Sequence, residues 1–418
     1  MAKSKRLIEI LILLLVILVP LVISIYIHDP NTELPAKNFG LKYTDIVYGL
    51  SYPIFENDER WFNAETFQKF KSSIYKYPIP YVDYKFEYPP LVGLLWYIST
   101  RIAFEYTSNL KDAIRVNYYV QSIFTIILYI FLVCSLSVLL KTKKQNPHIE
   151  FYKLLVFLLP STLIYAVYNW DVATAAFAVI GILCILREKY FFTGVLLGLS
   201  FSTKILTIGL VFYYMIKLLI VEEKRVLGLK YLVGFIISGV IPFILLYVIS
   251  PRGFSELLNH HMSWYCENCL YLPLIRDIYS NLHKTLFYTI TILIACGFLL
   301  FGYPWRNISV RDEYKYLFVG VVSLVLFNYV FSPQMFLLIT PLAILALGVK
   351  ALLLYSIADI FNALIIYTFF NYPNSWMFGS VTQYMALGRN LILLVLFIYI
   401  TMSIIRSRLK MTRTSRRI

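Results

Sequence analysis

Charge is scarce in this chain. Asp, Glu, Lys and Arg make up 15% of its 418 residues, where soluble proteins carry about 25%. With 59% hydrophobic residues and a mean hydropathy of +0.70, that scarcity excludes a soluble globular protein. Cysteine is scarce too. Five are too few for a disulfide framework, and Cys134, Cys184 and Cys296 fall inside apolar runs, where cysteine packs as a small hydrophobe. Cys266 and Cys269 have CxxC spacing but no second ligand pair, which argues against zinc and leaves a local disulfide open. Linkers, low-complexity tracts and internal repeats are missing as well, so residues 1–418 read as a single integral membrane domain.

What the chain does have is continuous apolar runs of roughly 17 to 25 residues without ten-residue alternation, the mark of membrane helices rather than a β-barrel. A helix pairs its own backbone groups, which lipid cannot do for it. The runs predict about twelve spans, near 7–27, 116–140, 152–168, 172–186, 191–203, 205–220, 231–249, 283–302, 316–331, 334–349, 351–370 and 388–405. Between the first two lies a long loop, 28–115, in which Leu91 to Ser99 reads as a short interfacial or re-entrant helix. In the same loop, Phe67, Phe70 and Ile74 share one face of a helix lying along the membrane. A second large loop is 250–282.

The formal charge of +15 would suggest nucleic acid in a soluble protein. Here the basic residues concentrate at the N-terminus, in alternate loops and in the tail from Arg406, as the positive-inside rule requires. The expected partners are therefore membrane lipids and not nucleic acid, with both termini cytoplasmic and the loops 28–115 and 250–282 extracytoplasmic.

Sorted this way, the unusual polar residues gather at the outer end of the bundle: Asp45, Tyr88-Pro89-Pro90, Asn169-Trp170-Asp171, Lys204, His260-His261 and Ser332-Pro333-Gln334. Asp45 reads as a general base or as a helix N-cap. Tyr88-Pro89-Pro90 is a rigid entry to a helix and also a shaped wall beside a site. Asn169 and Asp171 suit a tight turn as well as a substrate contact. Lys204 stands in an apolar passage, where a cation needs water or an anion, and Gly194 and Gly198 before it suit close helix packing. His261 reads as an inert surface residue or a phosphate contact. Asp359 and Asn362 share a helical face inside a span, so the carboxyl needs a buried partner or a function.

In their order, YTDIVY, FEYPPL, YNWD, the Lys after a Gly-rich helix and FSPQMFLLITPL resemble the membrane-embedded C-type glycosyltransferases that use polyprenyl-phosphate sugars. The likeness covers about residues 43 to 345 and is nearest to polyprenol-phosphate-mannose-dependent mannosyltransferases, including the first one of glycosylphosphatidylinositol assembly. The glycosylphosphatidylinositol branch has a second acid where this chain has Val47, and the His loop of such enzymes often includes an Arg where HHMSWYCEN has none. The resemblance implies an all-α transmembrane bundle and an inverting transfer, without cofactor or metal, from a polyprenyl-phosphate sugar donor to a lipid or glycolipid acceptor. On that reading Asp45 is the base, Lys204 and then His261 receive the leaving phosphate, and Tyr88, Asn169, Asp171 and Gln334 line the substrate. The rival reading is a transporter or flippase of lipid-linked sugars, with Lys204 and Asp359 as its substrate or proton groups.

Overall fold

The computed structural model describes residues 2–34, 38–56, 78–107, 109–142, 147–302 and 308–415, and these form helices joined by turns. Residues Phe67, Phe70 and Ile74 lie outside them. Among the described residues five helices are long and apolar enough to cross a membrane: Lys5–His28, Leu110–Lys141, Arg225–Ile249, Val349–Phe369 and Val381–Ser407. The expected twelve is thereby corrected to five. The other apolar runs fold as shorter pieces: Asp171–Leu186, Tyr190–Thr203, Ile205–Val221, Leu282–Gly297 and Pro333–Ala346. At 1.5 Å per residue, a helix of 16 residues such as Asp171–Leu186 is roughly 24 Å long, against a hydrocarbon core of about 30 Å. The run 152–168 is broken outright. A tight helical stretch Lys153–Leu158 stops where Leu159 turns extended, and Pro160 begins a new helix that ends at Tyr165.

The short interfacial helix expected at Leu91 to Ser99 is longer, Pro90–Tyr106, and starts at Pro90 in the first turn, where a missing N–H costs nothing. It lies against Leu110–Lys141 through a buried polar seam: Asn117 Nδ2 donates to Ser99 Oγ and Thr100 Oγ1, and Gln121 Nε2 donates to Ser99 Oγ. Two caps set the start of the first loop. Asn38 Oδ1 accepts from Leu41 N at 3.1 Å, and Thr44 Oγ1 accepts from Val47 N at 3.0 Å. Asp45 is therefore not the cap. It is the first residue of the wide turn Asp45–Ser51, in which Gly49 N reaches Thr44 O, an i to i+5 bond of the kind found often at functional sites.

The glycines before Lys204 act as expected. A Cβ on Gly194 would lie 2.0 Å from Tyr231 O, and one on Gly198 would lie 2.1 Å from Ser238 Oγ, so the helix Tyr190–Thr203 meets Arg225–Phe235 backbone to backbone. Across from that contact, Ser200 Oγ donates to Thr174 O at 2.8 Å and fixes the helix to Asp171–Leu186. The carrier of Lys204 is thus clamped on two sides. Gly194→Ala should push the helices apart and cost about 1 to 3 kcal/mol in thermal or denaturant unfolding of the detergent-solubilised chain. Gly297→Ala, where an added Cβ meets nothing within 4 Å, should be neutral, and equal effects of the two would refute the clamp.

Candidate active site

Six of the seven residues singled out in the sequence meet in one polar chain or beside it. Asn169 Nδ2 donates to Asp45 Oδ2 at 3.1 Å, and Gln334 Nε2 approaches the same oxygen at 3.4 Å. Tyr88 lies beside the same carboxylate. Asn169 turns its other amide atom inward, where Oδ1 accepts from Asp171 N at 2.9 Å. Asp171 Oδ1 then takes the Lys204 ammonium at 2.6 Å. One tether of amides and carboxylates runs from Asp45 through Asn169 and Asp171 to Lys204, and Gln334, 289 residues from Asp45 in sequence, joins it at Asp45.

Each segment has a local reason for its place. Asn169 and Asp171 form an Asx turn at the N-terminus of the helix Asp171–Leu186, where a carboxylate also meets the positive helix end. Trp170 between them is buried, with Nε1 on Gln121 Oε1 at 2.9 Å and its ring edge-on to Tyr88 at 4.8 Å. Lys204 leaves the helix Tyr190–Thr203 in an extended conformation, which frees its side chain to cross to Asp171. Gln334 sits in a tight turn begun by Pro333, whose carbonyl is held by Asn362 Nδ2 at 2.9 Å.

Burial decides the electrostatics. It pushes the Asp45 carboxyl up to about 7, with the Asn169 hydrogen bond pulling the other way, Glu87 and Asp171 adding to the rise and Lys204 opposing it. Asp45 is thus a weak acid poised near neutrality. The Asp171 carboxylate is buried, and its second oxygen has no hydrogen-bond partner, while Lys204 keeps 20% of its side-chain surface open. That cation is shared between a fixed carboxylate and the space outside.

The His261 ring is hydrogen-bonded elsewhere, although Glu87 and Lys204 act on it. It lies exposed in the last turn of Pro251–Ser263, and its Nδ1 is bonded to Leu257 O at 2.9 Å. A carbonyl can only accept, so Nδ1 carries the proton, and Nε2 offers an anion a donor only in the imidazolium form. Its neighbour is better tied to the site: His260 Nε2 meets Glu87 Oε2 at 2.9 Å, directly before Tyr88. Asp359, inside a long helix, accepts from Ser161 N on Oδ1 at 2.9 Å, while its Oδ2 is buried without a hydrogen-bond partner.

Sequence reasoning missed Arg389. It is fully buried in Val381–Ser415 and bonded to Asn362 Oδ1, Asn390 Oδ1, Asn268 O and Phe331 O. The signal was an Arg-Asn pair interrupting an apolar run, where a charge implies a buried partner. Glu267, whose carboxyl burial raises above its ordinary range, was also passed over as a loop residue; Trp264 Nε1 donates to it at 2.9 Å. Cys266 and Cys269 are joined by a disulfide, one of the outcomes their spacing left open.

No protein-family model, curated protein or solved structure matches this chain. The ion pair generates its own test. Lys204→Met leaves Asp171 buried without its cation and should destabilise the protein by about 3 kcal/mol, with Lys204→Met/Asp171→Leu recovering part of the loss. Chemical unfolding monitored by tryptophan fluorescence measures both, and a single variant as stable as the parent would mean that the pair contributes nothing.

Proposed function

We propose that this chain is an inverting glycosyltransferase that moves a sugar, most simply mannose, from a polyprenyl phosphate to a hydroxyl of a lipid-linked or membrane-proximal acceptor on the extracytoplasmic face. The observation that carries the reading is the pairing of a carboxyl at about 7 with a partly exposed cation at the far end of one hydrogen-bonded tether, Asp45–Asn169–Asp171–Lys204. The resemblance of the same residues, in the same order, to polyprenyl-phosphate-dependent enzymes supports it from the sequence side.

In this mechanism the acceptor oxygen attacks the anomeric carbon from the face opposite the phosphate. The new C–O bond forms as the sugar–phosphate bond breaks, the hydroxyl proton passes to Asp45, and the polyprenyl phosphate departs with added negative charge. Inversion requires base and leaving group on opposite faces of the ring, as in inverting glycosidases. Lys204 meets the growing charge, and fixed cations of this kind stabilise the transition state more than the ground state. Asn169 and Gln334 fix the Asp45 carboxylate by donating to one oxygen. The partly buried rings of Tyr43, Tyr48 and Tyr52, stacked in series, offer a flat apolar wall to a sugar or lipid tail.

Because the base must be ionised, transfer should rise with pH through about 7 and level off above it, the ascending limb following the Asp45 carboxyl. Asp45→Asn keeps the amide contacts and removes the base. It should lower sugar transfer from polyprenyl-phosphate mannose to a membrane lipid extract by about 100- to 10,000-fold while donor binding persists. Radiolabelled transfer assays on purified protein read both effects. An Asp45→Asn enzyme that transfers at the parent rate would sink the proposal, and labelled lipid crossing sealed vesicles with no new glycosidic bond would favour a flippase.

A further inference from the structure

The loop that closes through Cys266–Cys269 has a third sulfur-seeking group against it. His283, buried in the first turn of the helix that begins at Leu282, places Nδ1 3.5 Å from Cys269 Sγ. Its other nitrogen, Nε2, meets Asp277 O at 2.9 Å. A carbonyl only accepts, so the proton is on Nε2 and the Nδ1 lone pair is aimed at the sulfur. While the disulfide is intact, Cys269 has no hydrogen to offer it. An imidazole fixed by a backbone carbonyl with its free lone pair turned to sulfur is the orientation that metal-ligating histidines take.

We propose that Cys266, Cys269 and His283 form a redox-gated site for a thiophilic divalent cation of the zinc class. In the oxidised chain the disulfide holds the loop. A dithiol reductant opens it by exchange, leaving two thiols on Cys266 and Cys269 and the reductant as its cyclic disulfide. The cation then binds both sulfurs and Nδ1, releases the two thiol protons, and keeps its fourth position for water or another donor.

The geometry is nearly set. The ligand atoms of the three residues all lie within 4.8 Å of one another, and all three residues are buried. Tetrahedral bonds of about 2.3 Å to sulfur and 2.1 Å to nitrogen put those two atoms roughly 3.6 Å apart, close to the 3.5 Å already present. The two sulfurs must separate, and Cys266 Sγ must come to the same distance from Nδ1. A cavity of about 10 Å³, lined also by Leu272, Pro273 and Gln383, lies beside Cys269. The backbone returns the third ligand to the first two: Cys266 N donates to Ile278 O at 2.9 Å, and His283 N to Ser280 O at 3.2 Å. Borderline-soft cations prefer thiolate with imidazole, and hard ones do not.

The gain for the fold is a second way to hold Glu267 and Asn268, which lie between the two cysteines. Glu267 is bridged to Tyr329 and Phe331, and Asn268 O receives Arg389 and Asn390, so the loop supports the segment leading to Gln334. Disulfide and metal would be alternative clasps on one loop.

Cobalt(II) titration of the full-length chain in detergent tests this, in a Cys134→Ser/Cys184→Ser/Cys296→Ser background that removes the free thiols. After phosphine reduction and desalting, about one cobalt per chain should bind with a thiolate-to-cobalt charge-transfer band, and the oxidised chain should bind none. His283→Asn should weaken uptake at least about ten-fold. Should that variant fail to fold, His283→Cys keeps three ligands, and its band should grow as a third thiolate joins. A reduced chain that binds no cobalt, a band unchanged in His283→Asn or His283→Cys, or equal uptake by the oxidised chain each overturns the site.

Discussion

Arg389 is a full positive charge sealed inside the last long helix, and the hydrogen bonds around it run to amides and carbonyls. Its Nη2 meets Asn268 O at 3.2 Å and Phe331 O at 3.0 Å, Nη1 meets Asn362 Oδ1 at 2.9 Å, and its plane lies 3.5 Å from the centre of the Phe331 ring. Burying a guanidinium is tolerable only when each donor is used and the charge is spread over dipoles or a π face. The consequence is geometric. Three separate segments, the disulfide loop, the turn before Gln334 and the helix Val349–Phe369, must each present an acceptor to one rigid fork. Asn362 extends the set by donating to Ser161 Oγ and Pro333 O. The turn that aims Gln334 at Asp45, begun by Pro333, is thereby also held by Arg389 and Asn362.

That dependence explains which parts of the site could be read from the chain. Asp45 and Tyr88 lie in the loop 28–115, and Asn169, Asp171, Lys204 and Gln334 at the ends of apolar runs, and sorting loops and run ends by side puts them in one group. Arg389 escaped because a single basic residue near a run end looks like a topology charge, and its partners are backbone carbonyls that sequence does not reveal. His283 escaped for a related reason: its link to Cys269 depends on a backbone return through Ile278 and Ser280. The number of spans was misjudged because hydropathy sums composition over a window. It is blind to the extended Leu159 that divides 152–168, and to the early stops that leave helices of 14 or 16 residues.

Charges in the site are arranged to oppose one another. Asp45, Asp171, Glu87 and Glu267 crowd a region where Lys204 and Arg389 are the cations acting on them. Burial and carboxylate crowding drive Asp45 toward its neutral form, and one amide from Asn169 restrains it. Lys204 opposes that shift, and it is itself hydrogen-bonded to Asp171.

The shortness of the helices is part of the same arrangement. A helix that stops early leaves peptide groups unpaired, and in an apolar surrounding these must end against protein or water. Helices beginning at Asp45, Pro90 and Asp171, the one ending at Thr203, and the turn at Pro333 place such ends around one set of polar side chains. N-terminal ends at Asp45 and Asp171 favour negative charge, which lowers the cost of keeping carboxylates there. A bundle of uninterrupted spans would carry its backbone ends to the membrane surface and leave its interior to side chains alone. Here helix ends and side chains reach the same region, and that is what allows a carboxylate, its amide donors and an ammonium to be held together in a chain with so little charge.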